Sequence, residues 1–492
     1  MKHITLSVIL FVLFCSLLRA ENPNIIFLLA DDLGYGDLSC YSADSKIPTP
    51  NLDRLAGEGM RFTDAHSPSG VCTPTRYSVL TGRYCWRTHL KTGVLKADSP
   101  PLIDLNRMTV GDLLKKNGYY TGLVGKWHLG HTWNLKDPSG KVEVDNIDWS
   151  RPKKVGALQQ GFDYSYGLAK PGWTFSENDK ALVEPTEKFD LGKDSAYLMG
   201  GNNYRGYRAP GYDHKHMLPR FAEKGVEFIK RAAKKDEPFF MYWAPIAPHK
   251  PVVVNDEFVG KSGAGVYGDF VVELDHRVGQ LLDALDETGE ADNTLIVFTA
   301  DNGPENIAYD RIQGTGHYSM ADWRGVKRDL WEGGNRVPFI VRWPDKVEPG
   351  SESDEIISLT DFIATVAGVI GVDLPSNAAE DSYNILPALL GEELEKPIRP
   401  AVVYSGSNGV LAIRKGNWVL IDSKTGMVSG EPEWFRNERK VTPHDADQEL
   451  FNLKRDPQQK QNMIEKSSKV ADRLEKLLGK YVESGRSTPK RG

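Results

Sequence analysis

Two residue pairs, Asp31-Asp32 and Asp301-Asn302, each close a continuous apolar run. Together they offer four hard oxygen donors. Nothing here has the Cys/His spacing of a zinc site, and oxygen-only ligation suits Ca²⁺, with Mg²⁺ as the alternative. A third stretch, Cys72-Thr73-Pro74-Thr75-Arg76, runs on through Leu80-Thr81-Gly82-Arg83. Pro74 suits the first position of a helix and Gly82 the residue just past its end. That places Cys72 just ahead of a helix N-terminus, where free N–H groups attract an anion. Arg76, one turn in, adds a planar cation that can fork onto an oxyanion. Further cations lie in short blocks: Lys126 and His128 in Gly-Lys-Trp-His-Leu-Gly, His249 in Ala-Pro-His-Lys-Pro, Lys327 in Trp-Arg-Gly-Val-Lys. Singly, each piece has an ordinary use. Asp and Asn cap strand ends, lysines and histidines sit in water, and a cysteine near a turn is buried or bridged. Two acidic pairs at matching strand ends beside an anion motif say more.

The elements that must position these groups are readable. Asn24–Ala30 and Thr294–Ala300 are apolar throughout, as strands buried on both faces are. Phe239–Trp243, ahead of His249, reads the same way, and Tyr120–Val124 runs into Lys126. Helices are expected over 49–60, from a cap at Thr109 to Gly118, over 219–235, and from about Val271 to a stop at Gly289. Strands alternating with helices predict an α/β fold with a large, mainly parallel, doubly wound sheet flanked by helices. Ligands bind at the C-terminal edge of such sheets, where both acidic pairs fall. Residues 131–215 lack periodicity and read as long loops on the rim of the site. A boundary is expected near 390, with 21–390 as the catalytic domain and 391–492 as a smaller α+β subdomain. The latter carries strands at 401–404, 411–421 with a turn at Lys415-Gly416-Asn417, and 449–453. A helix over 467–482 follows, and then a frayed tail from Ser487.

Of 492 residues, 40% are hydrophobic and 26% charged, with a formal net charge of −6, which is ordinary globular composition. No basic surplus indicates nucleic acid. Residues 1–20 carry Lys2 and His3, then the apolar run Ile9–Leu18, then Arg19-Ala20. This predicts a signal peptide and a secreted or periplasmic protein. No later stretch is long and apolar enough to span a bilayer.

The Cys72 block resembles the signature of the type I sulfatases, arylsulfatase-like members of the alkaline phosphatase superfamily. Asp31-Asp32, Phe298–Gly303 and the Lys126, His249 and Lys327 blocks resemble further sulfatase blocks in the family's order, from about residue 22 to 395. The resemblance implies a sulfuric ester hydrolase in which Cys72 is oxidised to formylglycine by a maturation enzyme. It implies a divalent metal held by Asp31, Asp32, Asp301, Asn302 and the residue at 72. In the family mechanism the aldehyde is hydrated. One hydroxyl, activated by the metal and Asp301, attacks sulfur while Arg76, Lys126 and Lys327 hold the oxygens. The alcohol leaves protonated by His249 or Lys327, and the second hydroxyl loses its proton to His128, expelling sulfate. If oxidation consumes Cys72 and cleavage removes Cys15, Cys40 and Cys85 remain as a candidate disulfide. The expected substrate is a sulfated carbohydrate or aryl sulfate. His131, Trp133, Trp173, Asn306, His317 and Trp323 are candidates for the pocket wall. Two alternatives stay open: a phosphonate or phosphodiester hydrolase of the same superfamily, and an inactive protein that binds sulfated glycans.

Overall fold

A computed structural model describes residues 22–190 and 205–490. The expected signal peptide lies outside the described residues. The central feature is a ten-stranded sheet. Its strands run, edge to edge, Ser351–Ser353, Met60–Phe62, Phe339–Arg342, Thr294–Ala300, Asn24–Ala30, Phe239–Ala244, Tyr120–Gly125, Tyr164–Leu168, Phe175–Glu177 and Lys180–Ala181. The five from Thr294–Ala300 to Tyr164–Leu168 are mutually parallel. Asn24–Ala30 lies within this group, and all seven of its residues are buried. That explains why its sequence is apolar without alternation.

Helices cover both faces. Alternate residues of Phe239–Ala244 point to opposite sides. Phe240 meets Phe362 of the helix Phe362–Val369, with ring centroids 6.1 Å apart. Phe239 meets Phe228 at 6.0 Å, and Trp243 Nε1 donates to the Phe221 carbonyl at 2.8 Å, both from the helix Met217–Ala232. The expected doubly wound sheet is therefore present. The helix Gly265–Thr288 packs on Met217–Ala232 and ends at Gly289 in the left-handed conformation, φ 75°. Thr109 caps Val110–Lys116 through a hydrogen bond from the Asp112 N–H. A second sheet is antiparallel: Val402–Ser405, Leu411–Lys415, Trp418–Ile421 and Glu449–Asn452. The helix Ser468–Glu483 lays Leu474 and Leu478 against its Ile413 and Leu420. Arg414 ties this sheet to the first part of the chain, reaching Asp64 and Glu332.

Five expectations need correction. The helix at the cysteine spans Cys72–Thr81, so Cys72 is its first residue and Pro74 its third. The 49–60 helix stops at Gly57, and Met60 begins a strand that pairs with Phe339–Arg342. Residues 131–215 are not only loops. Tyr164–Leu168 extends the parallel sheet, although its Gly167 and short run leave no periodicity to read. The chain end is tied down to Thr488, because Tyr383 donates to the Ser487 carbonyl at 2.6 Å and the Ser487 N–H donates to Asp381 at 2.9 Å. Cys40 and Cys85 are free thiols, which burial pushes up to about 12 in each case. Among the described residues, no helix is long and apolar enough to cross a membrane.

Candidate active site

Strand register brings the site together. Ala30 pairs with Ala300, so Asp31 and Asp301 leave the sheet side by side, and the Asp301 N–H donates to the Ala30 carbonyl at 3.0 Å. Ala244 pairs with Gly125, and the Lys126 N–H donates to the Ala244 carbonyl at 2.7 Å. All ten residues of the Cys72–Thr81 helix are buried. Its end is fixed by Gly82 at φ 62°, where a Cβ would lie 2.4 Å from Ile363 Cγ2. With the helix locked, Arg76 is aimed at the strand ends. Its Nε and Nη2 donate to Asp301 Oδ2 at 3.1 and 2.8 Å, and Nη1 donates to the Lys126 carbonyl at 3.0 Å.

The ten residues singled out from the sequence converge at this edge. Lys126 Nζ lies 2.5 Å from Asp31 Oδ2, and Lys327 Nζ lies 2.6 Å from Asp32 Oδ2. Asn302 Nδ2 donates to Asp32 Oδ1 at 2.8 Å. Cys72 Sγ is 3.2 Å from His128 Nδ1, while His128 Nε2 meets the Leu95 carbonyl at 3.1 Å. A carbonyl can only accept, so Nε2 carries the proton and Nδ1 presents its lone pair to residue 72. His249 Nδ1 donates to the Lys250 carbonyl, and its Nε2 is 3.6 Å from Asp32 Oδ2.

The donor set fits a hard cation. Asp31, Cys72 and Asp301, and likewise Asp31, Asp32 and His249, place ligand atoms within 4.8 Å of one another. Asp31, Asp32, Asp301 and Asn302 are buried, and Asp31 Oδ1 and Asn302 Oδ1 have no hydrogen-bond partner. Orphaned buried oxygens of this kind are expensive unless something positive meets them. A similar acidic cluster, Asp64, His66 and Glu332, is already neutralised by Arg336 and Arg414.

Electrostatics sets the protonation states. Burial alone would raise Asp31, but Lys126, His249 and Arg76 hold it well below the usual carboxylate range. Burial and the neighbouring Asp31 charge push Asp301 well up. Burial, then Lys126 and Arg76, lowers His128 to about 3, and burial, then Lys327, lowers His249 to about 4. Both rings are therefore neutral at pH 7. Lys327 overcomes its burial through Asp32 and is held firmly charged.

The site opens into a cavity of about 610 Å³. His131 and Trp173 line it, as expected. The other four candidates do not. Trp133 lies behind His131, with ring centroids 6.0 Å apart, and His317 is spent on Asp37 at 2.8 Å. Trp323 stacks under Arg336, and the Asn306 N–H donates to Glu305 Oε1 at 3.1 Å. Sequence reasoning missed Lys170, Lys250, Glu305 and Arg328 in the wall. Glu305 binds Arg328 at 2.5 and 2.8 Å and Lys250 at 3.3 Å. Its place just past Asp301-Asn302-Gly303-Pro304 was the one available signal.

Near the cavity, His214 is 5% exposed, and its ring lies 4.5 Å from that of Trp173. Burial, then the charge of Lys170, lowers it to about 3. Below pH 6.5 the unfolded chain therefore takes up a proton that the folded chain refuses. Stability falls as the pH drops from 6.5 towards 3, by at most about 1.4 kcal/mol per unit from this group. In thermal melts, His214→Gln should lose less Tm than the parent between pH 6.5 and 4.5. Equal losses would show that other groups carry the acid sensitivity.

Comparison with known proteins identifies the family. The Sulfatase family model matches residues 23–372. An N-acetylgalactosamine-6-O-sulfatase of Bacteroides thetaiotaomicron is 34% identical over 94% of this chain and 93% of its own. Human arylsulfatase A is 32% identical over 93% of this chain and 86% of its own. A solved protein from work on the metabolism of multiple glycosaminoglycans by Bacteroides thetaiotaomicron superposes with a TM-score of 0.79. It is 32% identical, and the match covers 94% of this chain and all of that one. With a family model over most of the chain and relatives matched nearly end to end, the chain belongs to the sulfatase family and is a sulfuric ester hydrolase.

Proposed function

We propose that the protein hydrolyses sulfate monoesters of sulfated saccharides, using a formylglycine made from Cys72 by a maturation enzyme and a divalent cation, Ca²⁺ before Mg²⁺. One observation carries this. Cys72 starts a buried helix, 3.2 Å from His128 Nδ1 and within 4.8 Å of the Asp31 and Asp301 oxygens. An ordinary buried cysteine has no use for that company. We assign catalysis to 21–390 and a covering role to 391–492. The N-terminal leader, with a secreted or periplasmic location, belongs to the same proposal.

Formylglycine supplies, as its hydrate, one hydroxyl to attack sulfur and a second for releasing sulfate. The cation, held by Asp31, Asp32, Asp301 and Asn302, would offset charge on the sulfate oxygens. The chain's own groups do the rest. Arg76, Lys126 and Lys327 hold the oxygens and orient sulfur towards residue 72. His128, its Nε2 proton fixed on the Leu95 carbonyl, accepts a proton at Nδ1. The charged Lys327 gives a proton to the departing alkoxide, because neutral His249 keeps its single proton on Nδ1, donated to the Lys250 carbonyl. The cavity wall, with Lys126, Lys170, Lys250, Lys327 and Arg328 against Asp31 and Glu305, suits an anionic substrate. A relative named for N-acetylgalactosamine-6-O-sulfate makes 6-sulfated amino sugars the first substrates to try.

The test is turnover of 4-nitrophenyl sulfate against 4-nitrophenyl phosphate, which share a leaving group. We expect kcat/KM to favour sulfate by about 100-fold or more, a difference of about 2.7 kcal/mol in barrier. The reverse preference would support the phosphodiester or phosphonate alternative. No turnover by protein that carries the aldehyde would support the glycan-binding one.

A further inference from the structure

Most cations in the cavity wall are matched. Lys126 pairs with Asp31 at 2.5 Å, Lys327 with Asp32 at 2.6 Å, and Lys250 and Arg328 with Glu305 at 3.3 and 2.5 Å. Lys96, also in the wall, has no carboxylate partner among the described residues either, but it is exposed to solvent. Lys170 is different, because its ammonium is desolvated. Among the described residues no carboxylate lies within ion-pair distance of it, and no acid is among the charges acting on it. Its ammonium sits over the Trp173 ring instead. A ring face compensates a desolvated ammonium only in part.

The fold holds Lys170 in place. Tyr164–Leu168 runs parallel to Tyr120–Gly125 with Gly167 opposite Gly125, so the chain leaves the sheet at the same edge as Lys126. Two residues on, the turn is pinned. Trp133 Nε1 donates to the Lys170 carbonyl at 3.0 Å, and the Ala169 N–H donates to the Thr174 carbonyl at 2.9 Å. The Trp173 N–H donates to the Tyr207 carbonyl at 2.8 Å, which fixes the ring beneath the ammonium. Nearby polar atoms are also unsatisfied. His131 lines the same cavity with a buried Nδ1 that has no partner, and His214 Nε2, behind Trp173, has none either. Burial and the charge of Lys126 pull Lys170 well below the usual lysine range, so an anion delivered by a ligand would relieve it.

The cleaved sulfate already has its cations, Arg76, Lys126 and Lys327, around Cys72. We propose that Lys170 is a specificity-determining residue that binds a second anionic group of the substrate, a uronate carboxylate or a further sulfate, beside the sulfate that is removed. This rests on the sulfatase reading and adds the charge pattern of its substrate.

Binding can be measured without turnover by calorimetry on full-length Cys72→Ala protein. The probes are N-acetylgalactosamine 6-sulfate, its 4,6-disulfate, and a disaccharide joining a hexuronate to N-acetylgalactosamine 6-sulfate. With Lys170 present, at least one two-anion probe should bind about tenfold tighter than the single-anion probe. Which one does so separates sulfate from carboxylate. Adding Lys170→Gln should remove that preference and leave the single-anion Kd unchanged, while Lys170→Arg should keep most of it. A preference that survives Lys170→Gln, an equal loss for all probes, or no binding of any probe would overturn the proposal. Turnover of 4-nitrophenyl sulfate by the unmutated protein, which carries one anion, tests the sulfatase reading separately.

Discussion

Cys72→Ala should abolish turnover of 4-nitrophenyl sulfate while leaving the fold intact. The expected loss is on the order of 10⁴ to 10⁶ in kcat, the range seen when a covalent nucleophile is removed. The variant should fold because an alanine fits the first position of the helix, and the side chain lost is small. The Cys72 side chain makes one hydrogen bond, to His128, and its burial is shared by the whole Cys72–Thr81 helix. Tm should therefore change little. A peptide mass should accompany the kinetics. In active parent protein, residue 72 should be the aldehyde or its hydrate rather than the thiol. Unmodified cysteine in fully active protein would sink the mechanism, and so would a Cys72→Ala protein that keeps its rate. Inactive protein with unmodified cysteine would point instead to a host without the maturation enzyme.

The sequence carried the site better than it carried the cavity around it, for a physical reason. Asp31, Lys126, His249 and Asp301 each follow an apolar strand whose burial leaves an unmistakable run, so the strand ends could be located and their residues gathered on one edge. Cys72 and Arg76 lie on one helix whose end is marked by Gly82, while Pro74, third in the helix, put its start two residues late. The wall residues have no such frame. Lys170 depends on Tyr164–Leu168 joining the sheet, and that short, glycine-containing strand shows itself only through its register with Tyr120–Gly125. His317 and Trp323 sit close to motif residues in sequence, yet they face Asp37 and Arg336 in space. Proximity along the chain says little about which way a side chain points once a strand has ended. The tail misled for a related reason. Ser487 and Thr488 look polar and terminal, but Asp381 and Tyr383 reach them from over 100 residues away.

Chelation of the mature protein should remove both activity and part of its stability, and Ca²⁺ should restore both. The argument rests on charge. Asp31, Asp32 and Asp301 are buried at one sheet edge, and the Asp31 and Asp301 oxygens lie within 4.8 Å of each other. Two like charges at that spacing repel by about 3.5 kcal/mol at an effective dielectric near 20. Lys126, Lys327 and Arg76 offset part of this, with Arg76 Nη2 3.6 Å from Asp31 Oδ1, yet they leave Asp31 Oδ1 and Asn302 Oδ1 without a hydrogen bond. A cation present at about 1,000 times its Kd would add about 4 kcal/mol through linkage. For a chain of this size, that is a Tm shift of about 4 °C. Asp301→Asn removes one of the charges that demand the ion, so its Tm should respond less to chelator even though its activity is gone. That separates a bound ion from a general effect of chelator on the protein. A parent Tm and rate that do not change in chelator would mean that the three basic side chains satisfy the carboxylates alone, and the metal assignment would fall.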